Sequence, residues 1–366
     1  MSRALDKDVA ASLESSDKAE ALAAFVAISG ALTQQCQTGT GTDDGLVEIE
    51  LLGRSHPTPA GCHVLQDGNA IAVPKLSLVR AFIVARMRAI AWQQQQHTAT
   101  NDADILAVTA VQLLMDPEHL TAANTRKRAL VRRAATNGSG ALADAVRAEF
   151  RLVDSLLTSR LHRHTKSPTL WSHRRWLVQR CTEWSVAAAD VHDALQHVVM
   201  VSAERHPRNY YAWCHARFLV APLVSRSSNP REGGVDCYNG ALEKILDSTK
   251  RWAFSHHTDV SGWSFLWFLL WPPAATWVQE GPGTSRAAAV VAEAAELAVS
   301  LRWTNQSVWT FLRTAAAVGL LPHGRSVYER LRASLPHDSP GLETLRRAED
   351  WTRDFGACDV AAISVS

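Results

Sequence analysis

Apolar and polar positions in the second half of this chain recur at a spacing too long for one helix. The segment WSHRRWLV, Trp171 to Val178, aligns with WCHARFLV, Trp213 to Val220, 42 residues later. The alignment pairs Trp171 with Trp213, His173 with His215, Arg175 with Arg217 and Leu177 with Leu219. A third copy, WSFLWFLL, begins 50 residues on at Trp263, and a fourth, WTFLRTAA, 46 further at Trp309. Upstream, ANTRKRAL starts at Ala123, 48 residues before Trp171, and keeps basic residues at Arg126 and Lys127. Anchors at 123, 171, 213, 263 and 309 have the spacing of two-helix solenoid repeats.

The surroundings of each anchor agree with this register. Asn209, Asp259 and Asn305 each stand four residues before a Trp, where an N-cap would set that Trp in the first turns of a helix. A second helical stretch follows each anchor run, as in Ser185–His206, Ala241–His257 and Arg286–Trp303. In the first of these, Val191, Leu195, Val198 and Val199 share one helical face. Pro and Gly punctuate the joins, at Pro168, Pro207, Pro230, Pro272-Pro273, Gly281-Pro282-Gly283 and Pro322, and Ser225–Val235 reads as a surface loop. The N-terminal third differs. Ala19–Gln35 reads as a helix, Leu46–Leu52 as a short strand and Lys75–Gln96 as a long basic helix. Asp102–Met115 and Leu120–Ala135 read as the first helix pair. The expected architecture is therefore all-α, a right-handed solenoid of antiparallel helix pairs. Residues 1–100 form a cap, 101–355 the repeat array and 356–366 a tail.

Composition sharpens the picture in three places. Thirteen Trp stand against 4 Tyr and 9 Phe, and all but Trp92 fall after residue 170, as a recurring packing role would require. The formal net charge of +2 gives no global field aimed at nucleic acid or membrane, and no aromatics interleave with the basic run Arg126–Arg133. The six cysteines, at 36, 62, 181, 214, 237 and 358, form no C-x2-C pair and no disulfide framework, which fits reduced thiols in the cytoplasm. The charged N-terminus lacks an apolar core, so no signal peptide is expected. The longest apolar run, Trp263–Trp277, is broken by two prolines and is too short to span a bilayer. The C-terminus has no C-a-a-X box, and no P-loop, G-x-G-x-x-G or G-x-S-x-G is present.

At this point the chain resembles the protein prenyltransferase α-subunit family, whose repeat reads P-x-N-Y-x-x-W-x-x-R-x-x-L. Pro207, Asn209, Tyr210 and Trp213 fit it, with Ala216 at the Arg position and Arg217 one place later. The earlier copy fits from Trp171 through Arg174 to Leu177 but has Ser167 and Pro168 where Asn-Tyr would stand. Leu113–Leu130 resembles the first repeat of the α-subunit repeat-containing protein branch, and the resemblance covers about residues 102–320. It implies the α subunit of a heterodimeric enzyme of the geranylgeranyltransferase kind. The partner β subunit holds zinc, this chain carries no cofactor, and the isoprenoid passes from its diphosphate to a cysteine of a protein substrate. Lys166, five residues before the second-repeat Trp, falls where the family places a lysine beside the leaving diphosphate.

On that reading Lys166 and Tyr210 stabilise the diphosphate, while Arg208, Asn209 and His215 contact substrate or partner. Trp171, Trp213, Trp263 and Trp309 are core anchors, and Arg175 and Arg217 are structural links between helix pairs. For Lys166 the plainer alternative is a solvated surface residue. His162-x-His164 and His256-His257 lack a Cys or carboxylate at zinc spacing, so no metal is expected on this chain. The alternative function is a non-catalytic, tetratricopeptide-like scaffold that binds proteins on its concave face. No nucleic-acid partner and no transmembrane segment are expected.

Overall fold

The computed structural model describes residues 18–33, 45–94, 101–136, 138–187, 190–227, 235–270, 286–321 and 324–355. The observed class is all-α, built of helix pairs, with one three-stranded sheet. The proline-rich join after Leu270 and the C-terminal tail lie outside the described residues. Two compact units divide the chain, Met1–Asp190 with Val201–His206, and Val191–Met200 with Pro207–Ser366.

The first unit opens with α1 (Lys18–Thr33), then β1 (Glu48–Leu52), β2 (Leu65–Asp67) and β3 (Ala70–Pro74). The strand order is β1-β3-β2; β1 runs parallel to β3, with Ile49 opposite Ile71, and β2 runs antiparallel to it. Only β1 is legible as a strand in the sequence, because β2 is three residues long and exposed throughout. The helices α2 (Lys75–Gln94), α3 (Asp102–Met115), α4 (Leu120–Thr136) and α5 (Ser139–Leu157) follow. A single turn, α6 (His162–Thr165), leads to α7 (Pro168–Glu183). Helix α1 packs on α2 and α3, and α7 packs on α4 and α5. The Val47 N–H donates to Ser155 Oγ at 2.9 Å, which ties the sheet to α5.

The second unit repeats a simpler plan. The segment α8 is α-helical at Val191–Ala194 and Val201–Arg205, with a π-helical turn at Leu195–Met200 between; its last turn belongs to the first unit. Then come α9 (Tyr210–Ser227), α10 (Val235–Ser255), α11 (Val260–Leu270), α12 (Arg286–Ser300), α13 (Gln306–Ala317), α14 (Gly324–Ser334) and α15 (Gly341–Phe355). Two of the anchors pack on the aromatic two places beyond the next anchor. Trp213 lies 5.3 Å from Phe265, and Trp263 lies 5.0 Å from Phe311, between ring centroids. The long helices of the other series also supply aromatics: Trp252 meets Trp213 at 4.8 Å, and Trp303, just past α12, meets Trp263 at 6.5 Å. Gly262 makes room for this packing, since a Cβ there would stand 2.3 Å from the Trp252 ring.

The repeat register holds at the level of single hydrogen bonds. Trp171, Trp213, Trp263 and Trp309 are each the fourth residue of a helix and all are buried. Four places before each stands an N-cap: Ser167 accepts from the Leu170 N–H, Asn209 from Ala212, Asp259 from Gly262 and Asn305 from Val308. His119 does the same before Ala123, its Nδ1 accepting from the Ala122 N–H at 3.1 Å. A side-chain acceptor at this point satisfies one of the donors that every helix start leaves unpaired. Three of the four indoles also donate to the carbonyl six residues back, Trp171 to Thr165, Trp263 to His257 and Trp309 to Trp303. The Trp213 Nε1 is the exception, buried without a partner among the described residues.

Candidate functional site

Because the N-cap fixes where each anchor helix begins, it also fixes what the preceding turn and first helical turn present to solvent. In the first unit that turn ends at Lys166, whose backbone closes α6 with its N–H directed to His164 O. Lys166 is exposed, two residues after buried His164. Beside it, His162 Nδ1 and His206 Nδ1 share a hydrogen bond at 2.9 Å, with the rings edge to face. Burial, the Lys166 charge and His162 together push the His206 imidazole below its ordinary value, so His206 favours its neutral form. Arg163 nearby pairs with Asp116 at 2.9 Å.

In the second unit the equivalent turn carries Arg208, Asn209 and Tyr210. Arg208 adopts a left-handed backbone, φ 60, and its N–H donates to Asp259 Oδ2. The same Asp259 caps α11, so one carboxylate holds two turns together. Asn209 is fully buried as the cap of α9. That geometry assigns its side chain to the helix start. His215 is buried against Phe218, with ring centroids at 5.6 Å. Tyr210 stands out in solvent, 63% exposed, edge-on to Tyr211. Its hydrogen-bonding partner Cys214 raises the phenol above its ordinary value, and Arg217 opposes that shift.

Of the two expected structural arginines, Arg217 spans helix pairs, donating to Ser264 O at 3.0 Å and Ser264 Oγ at 2.8 Å. Arg175 is exposed, and the buried arginine is its neighbour Arg174. Arg174 donates through Nε to Asp154 Oδ1 at 2.7 Å and through a terminal nitrogen to Oδ2 at 3.2 Å. Arg126, the equivalent residue after Ala123, makes a two-pronged pair with Glu149, both contacts at 2.8 Å. It also reaches Leu106 O and Thr109 Oγ1. His173 Nε2 lies 3.0 Å from Glu149 Oε1. Burial alone would raise Glu149, but Arg126 and His173 overcome it and hold the carboxyl well below the usual range. Both acids lie on α5, five residues apart, and the sequence reading missed them. The signal was available: Arg174 continues the buried stripe of Leu170, Leu177 and Cys181, and an arginine in such a stripe needs a buried acid.

His164 is a further buried group of the first unit. Its Nε2–H donates to Leu113 O and Leu114 O at 3.1 and 3.0 Å, satisfying carbonyls at the end of α3. Burial holds its pKa at about 4, against 6.5 for the free side chain, so the folded ring stays neutral where the unfolded one takes up a proton. His164 therefore contributes stability that is complete above pH 6.5 and is lost as pH falls toward 4. Between pH 7 and 5 this loss is about 2 kcal/mol. Urea unfolding at the two pH values should show that drop in the wild type and a smaller one in His164→Asn; equal drops would remove His164 as the cause.

Stacked helix pairs with anchor tryptophans, and a buried arginine three residues after an anchor in the first two pairs, define an all-α protein of two-helix repeats. Residues 147–181 match the protein prenyltransferase alpha subunit repeat, and the match spans Glu149, Asp154, Lys166, Trp171 and Arg174. Residues 170–280 match the ECM9 middle domain. The chain is similar to protein prenyltransferase alpha subunit repeat-containing protein 1-A of Xenopus laevis, 31% identical over 193 residues, covering 48% of this chain and 39% of that protein. The Homo sapiens protein prenyltransferase alpha subunit repeat-containing protein 1 is 27% identical over 186 residues, 46% of this chain and 40% of that one. Protein ECM9 of Saccharomyces cerevisiae is 28% identical over 171 residues, 46% and 41% of the two chains. The matched stretch thus spans about two-fifths of the length of these relatives. No helix among the described residues is long and apolar enough to cross a membrane.

Proposed function

We propose that this chain is the α-type subunit of a heterodimeric protein prenyltransferase, acting in the cytoplasm with a zinc-bearing β subunit. It helps transfer an isoprenoid, geranylgeranyl in the simplest case, from its diphosphate to a protein cysteine. The observation that carries this reading is Lys166: an exposed lysine at the turn before an anchor helix, inside the matched repeat and beside the His162–His206 pair. A compact ammonium there suits a leaving diphosphate, whose charge grows in the transition state. Arg208 holds the same register before Trp213 and supplies a second exposed cation in its own unit. The first residues of three anchor helices, Leu120, Tyr210 and Val260, are exposed at 59, 63 and 42%. Bulky apolar groups recurring at one register favour a protein partner over plain solvent. That recurrence serves the scaffold reading equally, so catalysis must separate the two.

The test is an α–β complex reconstituted with a zinc-bearing β subunit and assayed with labelled geranylgeranyl diphosphate and a cysteine acceptor. Lys166→Ala should lower turnover by roughly 10- to 1000-fold at unchanged melting temperature, the range for one lost transition-state donor. Tyr210→Phe should lose less. Wild-type turnover in Lys166→Ala, or a complex that forms but transfers nothing, leaves the scaffold reading.

A further inference from the structure

A groove in the first unit has no part in the turns described above. Helix α3 forms its floor through Ile105, Thr109 and Gln112, spaced along one face, and α2 and α4 form its walls. It encloses about 450 Å³, within the range of small-ligand sites. Its charge is one-sided. Arg86 on α2 and Arg128 on α4 both line the groove and are exposed, and neither makes a hydrogen bond or ion pair among the described residues. Arg132, a turn beyond Arg128, pairs with Asp102, which also takes Arg133. Asp104 is taken by Arg88. The acids at the start of α3 are therefore already engaged, and the free positive charge faces the groove.

Two further features point to an occupant. Gln112 is 4% exposed, yet its side-chain amide has no hydrogen-bond partner among the described residues and lines the groove. The amide atoms are thus open to a group that enters the groove. Along the same groove Ala89, Ile90 and Trp92 present apolar surface, and Ile90 is 44% exposed although it sits above a concavity.

We infer that this groove binds an anionic amphiphile, a phosphate or carboxylate head on a single apolar chain. The head sits between Arg86 and Arg128, whose planar guanidinium groups match the oxygens of either anion. The Gln112 amide donates to a head oxygen, and the chain lies along Ile90, Trp92 and Ile105. The ligand can arrive free in solution or as a lipid at a membrane surface. This site is separate from the Lys166 turn, so its failure leaves the transferase reading standing, and the reverse.

The test uses the full chain and dodecyl phosphate below its micelle concentration, followed by isothermal titration calorimetry. Dodecyl phosphate should bind, with inorganic phosphate and dodecyl maltoside each much weaker. The double variant Arg86→Gln/Arg128→Gln, changed only at exposed positions, should weaken binding by at least about tenfold with an unchanged melting temperature. Thr125→Trp, which fills the groove and keeps its charge, should do the same. Flotation with phosphatidate–phosphatidylcholine vesicles separates the sources: arginine-dependent flotation assigns a lipid surface, and its absence alongside dodecyl phosphate binding assigns a free amphiphile. No heat from dodecyl phosphate, or equal affinity in the double variant, overturns the site.

Discussion

Glu149→Leu should destabilise the first unit by about 3–5 kcal/mol, the cost of leaving a buried charge unpaired. Glu149 is 2% exposed and Arg126 3%, and Arg126 directs two nitrogens at its two oxygens. Without the carboxylate, that guanidinium keeps, among the described residues, Leu106 O and Thr109 Oγ1 in a site closed to water. Arg126→Met should cost less, because Glu149 keeps His173 Nε2 at 3.0 Å. The double variant Arg126→Met/Glu149→Leu removes both charges together, and apolar replacements of a whole buried pair are often tolerated. Its stability should therefore return most of the way to wild type. Urea unfolding of the four proteins closes the cycle. Additive losses in the double variant would show that the two residues act apart. Arg175→Ala, on the exposed neighbour of the other buried arginine, should change stability by under about 0.5 kcal/mol.

The second large effect is expected at the tryptophan anchors. Trp263→Ala and Trp309→Ala should each cost about 3–5 kcal/mol, as a large aromatic side chain is removed from a closed core. Substitution by phenylalanine separates packing from hydrogen bonding. Trp309→Phe strands the Trp303 carbonyl, now met at 2.7 Å, and adds about 1–3 kcal/mol to the loss of ring volume. Trp213→Phe breaks no such bond, because its Nε1 has no partner among the described residues. Thermal or urea unfolding should therefore rank Trp213→Phe as the milder change. The opposite order would mean that ring volume alone sets the cost.

The anchors and their caps were legible because both are local. A Trp four residues after Asn or Asp reads as a helix start, and Asp102–Met115 could be placed to the residue from pattern alone. Ser167 and His119 perform the same capping role but went unread, since neither stands out from an ordinary turn residue. Helix α5 fell only under the general expectation of a second helical stretch after each anchor run, and without a tryptophan to mark it no bounds were set for it. Glu149 and Asp154 on it went unread, because their meaning depends on which helix lies opposite. Identity between repeats drew the eye to Arg175 and Arg217, whereas burial selects Arg174. The exposed placement of Lys166 and Tyr210 could be anticipated; the imidazole pair beside Lys166 joins residues 44 apart and has no sequence signature.

The uneven distribution of buried arginines limits how far these repeats are interchangeable modules. Three residues after their anchors, the first two repeats carry Arg126 and Arg174, and the last three carry Ala216, Leu266 and Leu312. The acids that answer the arginines sit on a different helix, α5, so the two halves of each pair can be separated by a cut at the turn. Grafting α11 or α13 in place of α7 would set Leu266 or Leu312 against Asp154 and leave that carboxylate alone in the core. A shuffled or consensus version of this chain must therefore move α5 together with α4 and α7 as one block, while the aromatic relay of the later pairs permits exchange one pair at a time.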